Sequence, residues 1–274
     1  MPTQRLPLRD RLELKVKVTV MKKLFMVGTG PGNLDYLVPL AQRAILESSD
    51  IVGYGLYIDL LGDLVKNKTC HTSNLGQETE RVKLALDLAS EGRVTALVSS
   101  GDIGIYAMAS LAYELLDRHP KAEWFDVSIE TIPGVSAMQA AASKIGAPLG
   151  HDFCTISMSD LLTPWESIEK RLHAAGQGDF VVAIYNPVSK TRNWQINHAR
   201  EILLEYRPSD TPVVIAKNLT RENETVNVVS LLDVAAKDLD MLTTLIIGSS
   251  DTRTLSVQNT QRIYTPRGYS KVLK

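Results

Sequence analysis

Leu24-Phe25-Met26-Val27-Gly28-Thr29-Gly30-Pro31-Gly32 joins a strand-like apolar run to a glycine-rich turn, and a helical pattern follows it. The same order recurs twice, at Ser99-Ser100-Gly101-Asp102-Ile103-Gly104 and at Pro133-Gly134-Val135-Ser136-Ala137, each directly after an apolar run. Strands that alternate with helices predict a parallel sheet covered on both faces. Because ligands of such sheets bind at the carboxyl ends of the strands, the three turns predict one shared binding edge.

The second half of the chain has a different pattern. Thr163-Pro164-Trp165-Glu166 predicts a capping box that opens a helix to about Ala175. Strand patterns occur at residues 180–185, 213–216, 224–229 and 243–247, with a helix predicted from about Asn193 to Tyr206 between the first two. The last strands are separated by too few residues for helices throughout, so this sheet is predicted to be mixed. We therefore predict an α/β fold with two domains, mainly parallel in the first and mixed in the second. The predicted division is an N-terminal extension at 1–20, domains at 21–142 and 143–252, and a C-terminal tail at 253–274.

Composition limits the possible partners. The 274 residues carry a formal net charge of -1, so no global field favours nucleic acid or an acidic membrane. No apolar stretch reaches the length of a membrane span. The two cysteines, Cys70 and Cys154, form no disulfide framework and suit a reducing compartment, so we expect a cytoplasmic protein. Residues 1–20 are basic and lack the apolar core of a secretory signal, and we interpret them as an extension with Met21 as the true start.

Each glycine turn, considered alone, is compatible with either a ligand site or a purely structural turn. Asn33 stands where a dinucleotide fingerprint needs its third glycine, and no Gly-Lys pair of a P-loop follows Gly32. A tight turn without a ligand remains an alternative for this segment. A lone aspartate in a turn, such as Asp102, is most often a local cap, and contact with a cationic or hydroxyl-bearing ligand is the other reading.

Other groups of candidate residues give only weak evidence for a metal site, a hydrolase triad or an anion site. His151 with Cys154, and Cys70 with its neighbour His71, lack the third and fourth ligands of a zinc site, so no metal is predicted. Ser157 and Asp160 are too close in sequence to His151 for an ordinary hydrolase triad. The basic residues Lys190, Arg192 and Arg221 follow predicted strands, where they would be a solvated surface or would contact an anion in a cleft.

Taken together, residues 22–267 resemble the tetrapyrrole (corrin/porphyrin) methylase family. The resemblance rests on Gly-x-Gly-Pro-Gly at 28–32, Ser-Gly-Asp at 100–102 and Pro-Gly-x-Ser-Ala at 133–137. Within the family, residues 146–153, 156–165, 168–172, 180–187 and 265–269 resemble the branch that methylates carbon 17 of precorrin-3B.

The resemblance implies an S-adenosylmethionine-dependent enzyme of cobalamin biosynthesis. It would methylate carbon 17 of precorrin-3B, or of its cobalt counterpart, with contraction of the macrocycle, and it would be a homodimer. The cofactor would lie in a cleft between the two domains, held by Pro31, Ser100, Gly101, Asp102, Ile105, Ser136, Ala137, Tyr185, Asn218, Met241, Leu242 and Thr243. Gly28, Gly30 and Gly32 would floor the tetrapyrrole trough, and Lys190, Arg192 and Arg221 would bind its carboxylates.

Methyl transfer needs mainly alignment, whereas contraction needs a general base. The candidates are His151, Asp152, Asp160 and Asp102, and the sequence does not decide among them. His151 is the first choice because imidazole is the side chain best suited to proton transfer near neutral pH. The alternative is that His151 and Asp152 only cap the turn after Gly150. Two alternative functions stay open: methylation at another ring carbon by a related precorrin methyltransferase, and non-catalytic tetrapyrrole binding. The presence of cobalt in the substrate is also left open.

Overall fold

A computed structural model describes residues 21–189, 192–269 and 272 of the chain. The predicted extension at 1–20 and the candidate Lys190 lie outside these residues. Across the described ranges, no helix combines the length and the apolar character that a membrane crossing requires.

The first half forms a five-stranded parallel sheet in the order β3-β2-β4-β1-β5. Its strands are β1 (Lys23–Gly28), β2 (Asp50–Tyr54), β3 (Thr69–Ser73), β4 (Val94–Ser99) and β5 (Ser128–Ile132). The helices of this half are α1 (Pro39–Glu47), α2 (Gly55–Asp59), α3 (Glu78–Ser90), α4 (Met108–Arg118) and α5 (Ala137–Ile145). The predicted parallel sheet is confirmed.

Alternation along β1 explains why both faces are covered. Leu24 and Met26 pack into the cluster that includes α3 and α4, whereas Phe25 and Val27 pack into the cluster that includes α1. All four side chains are at most 3% exposed. A strand buried on both faces reads as a continuous apolar run, which is the pattern of Leu24 to Val27.

The second half forms a mixed sheet in the order β10-β9-β11-β8-β7, as predicted. Its strands are β7 (Phe153–Ser157), β8 (Val181–Tyr185), β9 (Pro212–Lys217), β10 (Thr225–Ser230) and β11 (Thr243–Ile247), and its helices are α6 (Trp165–Gln177) and α7 (Gln195–Leu204). β7 and β8 are parallel, and the other three pairs are antiparallel. A third, small sheet joins β6 (Gly146–Ala147) to the hairpin of β12 (Arg253–Val257) and β13 (Thr260–Tyr264).

Helix α5 belongs by its packing to the second sheet. Ala140, Ala141 and Ile145 share a buried cluster with Val214 of β9 and Ile246 of β11. The predicted boundary at residue 142 falls inside this helix, and the predicted tail at 253–274 contains the β12–β13 hairpin. The division into domains therefore remains a prediction, and α5 is the element that couples the last turn of the first sheet to the second sheet.

One local prediction is wrong. Helix α6 begins at Trp165 with Pro164 as its N-cap, so Thr163 lies before the cap and the predicted capping box does not form. Pro164 has an extended ψ of 142°, so the first helical residue is Trp165, and proline has no side-chain acceptor that could cap it. The box appears instead at α5, where Ser136 and Gln139 cap each other.

Candidate active site

Six turns meet at one edge between the two large sheets. Three follow β1, β4 and β5 of the first sheet, and two follow β8 and β9 of the second. The sixth is the turn before β11, which reaches the same edge because β11 runs antiparallel to β9 and Thr243 pairs with Lys217. The carboxyl ends of strands thus face one cleft, as expected for ligand sites of open α/β sheets.

The three turns of the first sheet touch through their backbones. The amides of Gly30 and Gly101 each donate to the other residue's carbonyl oxygen, at 3.1 and 2.7 Å. A Cβ on Gly28 would lie 2.7 Å from the carbonyl oxygen of Gly101, and one on Gly134 would lie 2.2 Å from it. Glycine is required at these positions because the backbones approach each other too closely for any side chain.

Asp102 ties two of these turns together. Its Oδ1 accepts from the Gly104 amide at 2.8 Å, and its Oδ2 accepts from the Gly134 amide at 3.0 Å. The first bond is the local cap that the sequence favoured for this residue. The second reaches the neighbouring turn, so Asp102 fixes the spacing of the loops after β4 and β5.

Gly101 differs from the other glycines of the edge. Its φ is +71°, and the nearest atom to a Cβ built there is the Ala137 amide nitrogen at 4.0 Å. A side chain at this position would therefore project into open space between the β4 and β5 turns. Bare backbone beside open space is a cradle for a ligand that approaches the main chain closely.

Tyr185, the last residue of β8, bridges to the first sheet's turns. Its hydroxyl oxygen hydrogen-bonds Ser136 Oγ and accepts from the Met138 amide at 3.2 Å. Burial raises the pKa of the Tyr185 phenol, so the hydroxyl stays protonated and remains available as a donor. The phenol ring of Tyr106 packs on the Tyr185 ring, with centroids 5.3 Å apart.

The turns of the second sheet are fixed by their own polar contacts. Lys217 pairs with Asp240 at 2.5 Å, and the Asn218 amide donates to the Leu242 carbonyl at 3.2 Å. Burial would raise the pKa of Asp240, but hydrogen bonds from Lys217 and Thr243 hold it below its ordinary value. Met241 and Leu242 stay about half exposed at this edge, next to the buried Thr243.

The two described arginines predicted to bind carboxylates contact protein atoms. Arg192, only 8% exposed, donates to the carbonyl oxygens of Met158 and Asn186 and pairs with Asp160 at 3.4 Å. Arg221 reaches from the second sheet to Pro31 and Ser100 in the first. Burial lowers the pKa of each guanidinium from its ordinary value. Their contact with a substrate stays a prediction.

The structure separates the candidate bases. Phe153 pairs with Val181 and Ser157 pairs with Tyr185, so His151 and Asp152 precede the end of β7 that is remote from the cleft. Five residues of strand span roughly 13–17 Å. Asp160 lies beyond the cleft end of β7 but is bound by Arg192 and by Gln195 Nε2 at 2.8 Å. Of the four candidates, Asp102 alone lies among the converging glycine turns.

No group of three potential metal ligands occurs within the described part of the chain. His71 Nε2 lies 2.9 Å from Asp50 Oδ1. Hydrogen bonds from His71, Ser49 and Arg93 outweigh the effect of burial and hold the pKa of Asp50 below its ordinary value. A groove of about 650 Å³ runs along β9 and β10 and shares Asn218 with the predicted cofactor residues.

Sequence reasoning missed two contributors to this edge. Tyr106 has a positive φ of 52°, packs on Tyr185 and donates to Thr155 Oγ1 at 3.2 Å. Thr220 accepts from the Asn33 amide across the cleft at 2.9 Å. Neither has a motif of its own, although Tyr106 follows the Ser-Gly-Asp turn by only a few residues.

The family model of the Tetrapyrrole (Corrin/Porphyrin) Methylases matches residues 23–235. The chain belongs to this family. All three glycine turns and the second-sheet turn that carries Arg221 lie within the matched range.

The chain is similar to several curated relatives. A precorrin-3B C(17)-methyltransferase of Sinorhizobium sp is 41% identical over 90% of this chain and 97% of its own length. A probable cobalt-factor III C(17)-methyltransferase of Salmonella typhimurium is 40% identical over 90% of this chain and 99% of its own length. A cobalt-factor III methyltransferase of Priestia megaterium is 43% identical, and this chain spans 45% of that protein's length.

Solved structures agree on the fold of this chain. The crystal structure of the methyltransferase CobJ is 40% identical and superimposes with a TM-score of 0.82, covering 89% of this chain and 99% of that chain. A uroporphyrin-III C-methyltransferase from Thermus thermophilus, complexed with S-adenosylhomocysteine, is 20% identical with a TM-score of 0.62 over 82% of this chain and 97% of that chain. At that identity the likeness concerns the fold alone.

Proposed function

We propose that this chain is an S-adenosylmethionine-dependent methyltransferase that methylates carbon 17 of precorrin-3B, or of its cobalt counterpart, and contracts the macrocycle in cobalamin biosynthesis. The observation that carries the proposal is the open cradle at Gly101, between the β4 and β5 turns, in a chain that matches a precorrin-3B C(17)-methyltransferase along nearly all of that protein. The chain spans less than half the length of some relatives, such as the Priestia megaterium protein. The proposal therefore does not extend to any activity of the parts of those proteins that this chain does not match.

The residues of the cleft fit the cofactor. A polar ligand can approach the main chain closely at Gly101, and Ser100, Ser136 and Tyr185 lie on the adjoining turns, where their hydroxyl groups hydrogen-bond protein atoms and hold the turns in place. The exposed Met241 and Leu242 supply apolar contacts on the other wall. When bound, S-adenosylmethionine supplies an electrophilic methyl group on a sulfonium. The protein contributes alignment and a site from which water is excluded, which suits a displacement that disperses charge.

The macrocycle has an apolar ring face inside a rim of carboxylates, so its trough should present apolar side chains near the cleft. Leu161 and Leu162 are 86% and 99% exposed in the loop that leaves the cleft end of β7. Asp160, the residue just before the two leucines, is held by Arg192 and Gln195, so the start of the loop is fixed. We propose that these two leucines contact the tetrapyrrole. Their place at the cleft end of β7, next to the converging turns, is the observation that favours this contact.

We propose Asp102 as the general base for contraction. Its carboxylate lies among the glycine turns, and each oxygen accepts one backbone amide, which leaves further lone pairs for a substrate hydroxyl. His151, Asp152 and Asp160 remain the alternatives.

The test is an assay with methyl-labelled S-adenosylmethionine and either metal-free precorrin-3B or its cobalt-loaded counterpart, followed by mass spectrometry and NMR of the product. We expect one added methyl at carbon 17 and a contracted ring. A methyl at another carbon supports the related-methyltransferase alternative, and no transfer to any precorrin supports tetrapyrrole binding without catalysis. Comparing turnover of the two substrates decides whether the natural substrate carries cobalt.

Homodimer formation, which the family resemblance implies, is part of the proposal. Light scattering coupled to size exclusion should give twice the mass of 30.2 kDa for the intact chain. A monomeric mass at assay concentration contradicts it.

A further inference from the structure

Residues 218–224, between β9 and β10, cross the cleft and bind the first sheet's turns. Thr220 Oγ1 accepts from the Asn33 amide at 2.9 Å. Arg221 Nε donates to the Pro31 carbonyl at 2.8 Å, and its Nη2 donates to Ser100 Oγ at 2.9 Å. One short segment therefore contacts both the β1 turn and the β4 turn.

The β1 turn is shaped to receive this segment. A Cβ on Gly32 would lie 2.6 Å from Arg221 Cγ and 2.9 Å from Thr220 Oγ1. The Arg221 guanidinium also lies 5.9 Å from the centre of the Tyr57 ring, a cation–π distance. Glycine at 32 is thus explained by the passage of the Arg221 side chain.

The segment holds a strained backbone. Asn218, Thr220 and Asn223 have φ values of 51°, 62° and 60°, in the left-handed region that side chains disfavour. Glu224 accepts from the Thr220 amide, and Lys144 of α5 holds Glu224 at 2.8 Å. Such conformations persist where surrounding contacts over-determine them, and they cluster at functional sites.

We propose that residues 218–224 form an interdomain strap, and that Arg221 is a positioning residue that fixes Pro31 and Ser100 for the cofactor. The proposal rests on the proposed function, since it assigns the strap to the same cofactor site. Arg221 acts through the two turns that it holds. Docking of the second sheet then completes a cofactor site whose glycine turns belong to the first.

The first experiment replaces Arg221 with glutamine and measures S-adenosylhomocysteine affinity by calorimetry. Loss of two bonds from a charged donor should weaken binding by about tenfold or more, and should raise KM for S-adenosylmethionine more than it lowers kcat. Arg221→Lys should not restore affinity, because one ammonium cannot reproduce the two-pronged contact. The matched control is Arg200→Gln, which removes a bond to the Val234 carbonyl away from the cleft.

A double-mutant cycle tests the link to Gly32. Gly32→Ala should weaken S-adenosylhomocysteine binding in the parent protein by displacing Arg221, and should have a smaller further effect in an Arg221→Ala protein, which lacks the Cγ that a Cβ at position 32 would meet. Fully additive effects contradict the strap.

Hydrogen exchange gives a readout that needs no cofactor. The amides of Gly30 and Gly101 each donate to the carbonyl oxygen of the other residue. Both amides should exchange faster in Arg221→Gln than in the parent or in Arg200→Gln. If the parent protein binds no S-adenosylhomocysteine, the proposed function fails while exchange still tests the strap. Unchanged exchange at both glycines in Arg221→Gln overturns the strap itself.

Discussion

The hydroxyl of Tyr185 hydrogen-bonds the hydroxyl of Ser136, so the last residue of β8 holds the residue that caps α5. The cap follows the β5 turn directly, and the same Tyr185 hydroxyl also accepts from the Met138 amide. One side chain of the second sheet thereby fixes the last glycine turn of the first sheet.

Tyr185→Phe should keep the ring packing and lose this tie. The buried Met138 amide would be left without its acceptor, and we expect a loss of about 1–3 kcal/mol in unfolding free energy. S-adenosylhomocysteine should bind more weakly. Denaturant unfolding and calorimetry measure both effects. Tyr206→Phe, which removes a bond to His173 on the surface, is the control and should leave affinity unchanged.

Gly101→Val should abolish cofactor binding while the protein stays folded. Its Cβ would enter the cradle beside the Ala137 amide, and φ of +71° adds backbone strain. Gly76→Val carries similar strain, since φ at Gly76 is +85° with nothing within 4 Å of a Cβ, and it should bind normally. Equal affinity of the Gly101→Val and parent proteins in calorimetry would remove Gly101 from the cofactor site.

Replacement of the contraction base should separate methyl transfer from contraction. We expect Asp102→Asn to accumulate a methylated, uncontracted product, because the amide cannot take up the substrate proton. His151→Ala and Asp152→Asn lie at the remote end of β7 and should yield contracted product at the parent rate. Asp160→Asn tests the remaining candidate. Mass and NMR analysis of each product decides, and contraction that stops in His151→Ala contradicts the choice of Asp102.

The strap should loosen in acid. Burial would raise the pKa of Glu224, but hydrogen bonds from Lys144 and the Thr220 amide hold it below its ordinary value of 4.5. A depressed carboxyl pKa stabilises the fold above the unfolded value and ceases to do so as pH falls through the folded value. The stability difference between parent and Glu224→Gln should therefore shrink below pH 4.5 in denaturant titrations. A difference that stays constant down to pH 3 speaks against the ion pair.

The exposed leucines should matter for the substrate and not for the cofactor. Leu161→Ser with Leu162→Ser removes apolar surface that faces solvent, so unfolding free energy should change by less than about 0.5 kcal/mol. KM for the tetrapyrrole should rise several-fold while S-adenosylhomocysteine affinity is unchanged. Leu232→Ser, at a similarly exposed leucine elsewhere, is the control. Unaltered KM means that the loop does not contact the macrocycle.

Much of the fold followed from local chemistry that the chain carries by itself. Apolar runs such as Leu24 to Val27, ending in glycine and followed by a 3.6-residue period, specify buried strands and covering helices wherever they occur. The close strand spacing after residue 212 excludes a helix between each pair, and the sheet is mixed as predicted. The three glycine turns predicted a shared edge because parallel strands end on the same side.

Tertiary structure alone decided what each of these residues contacts. Gly32 looked like a ligand position in sequence, yet its missing side chain admits Arg221 from the segment between β9 and β10, almost two hundred residues away. His151 looked close to the active loop, yet the pairing of β7 with β8 places it before the remote end of that strand. Sequence spacing determines the periodicity within one helix or strand. Which end of a strand faces the cleft depends instead on the strand with which it pairs. That pairing forms only when segments distant in sequence bury their apolar faces together.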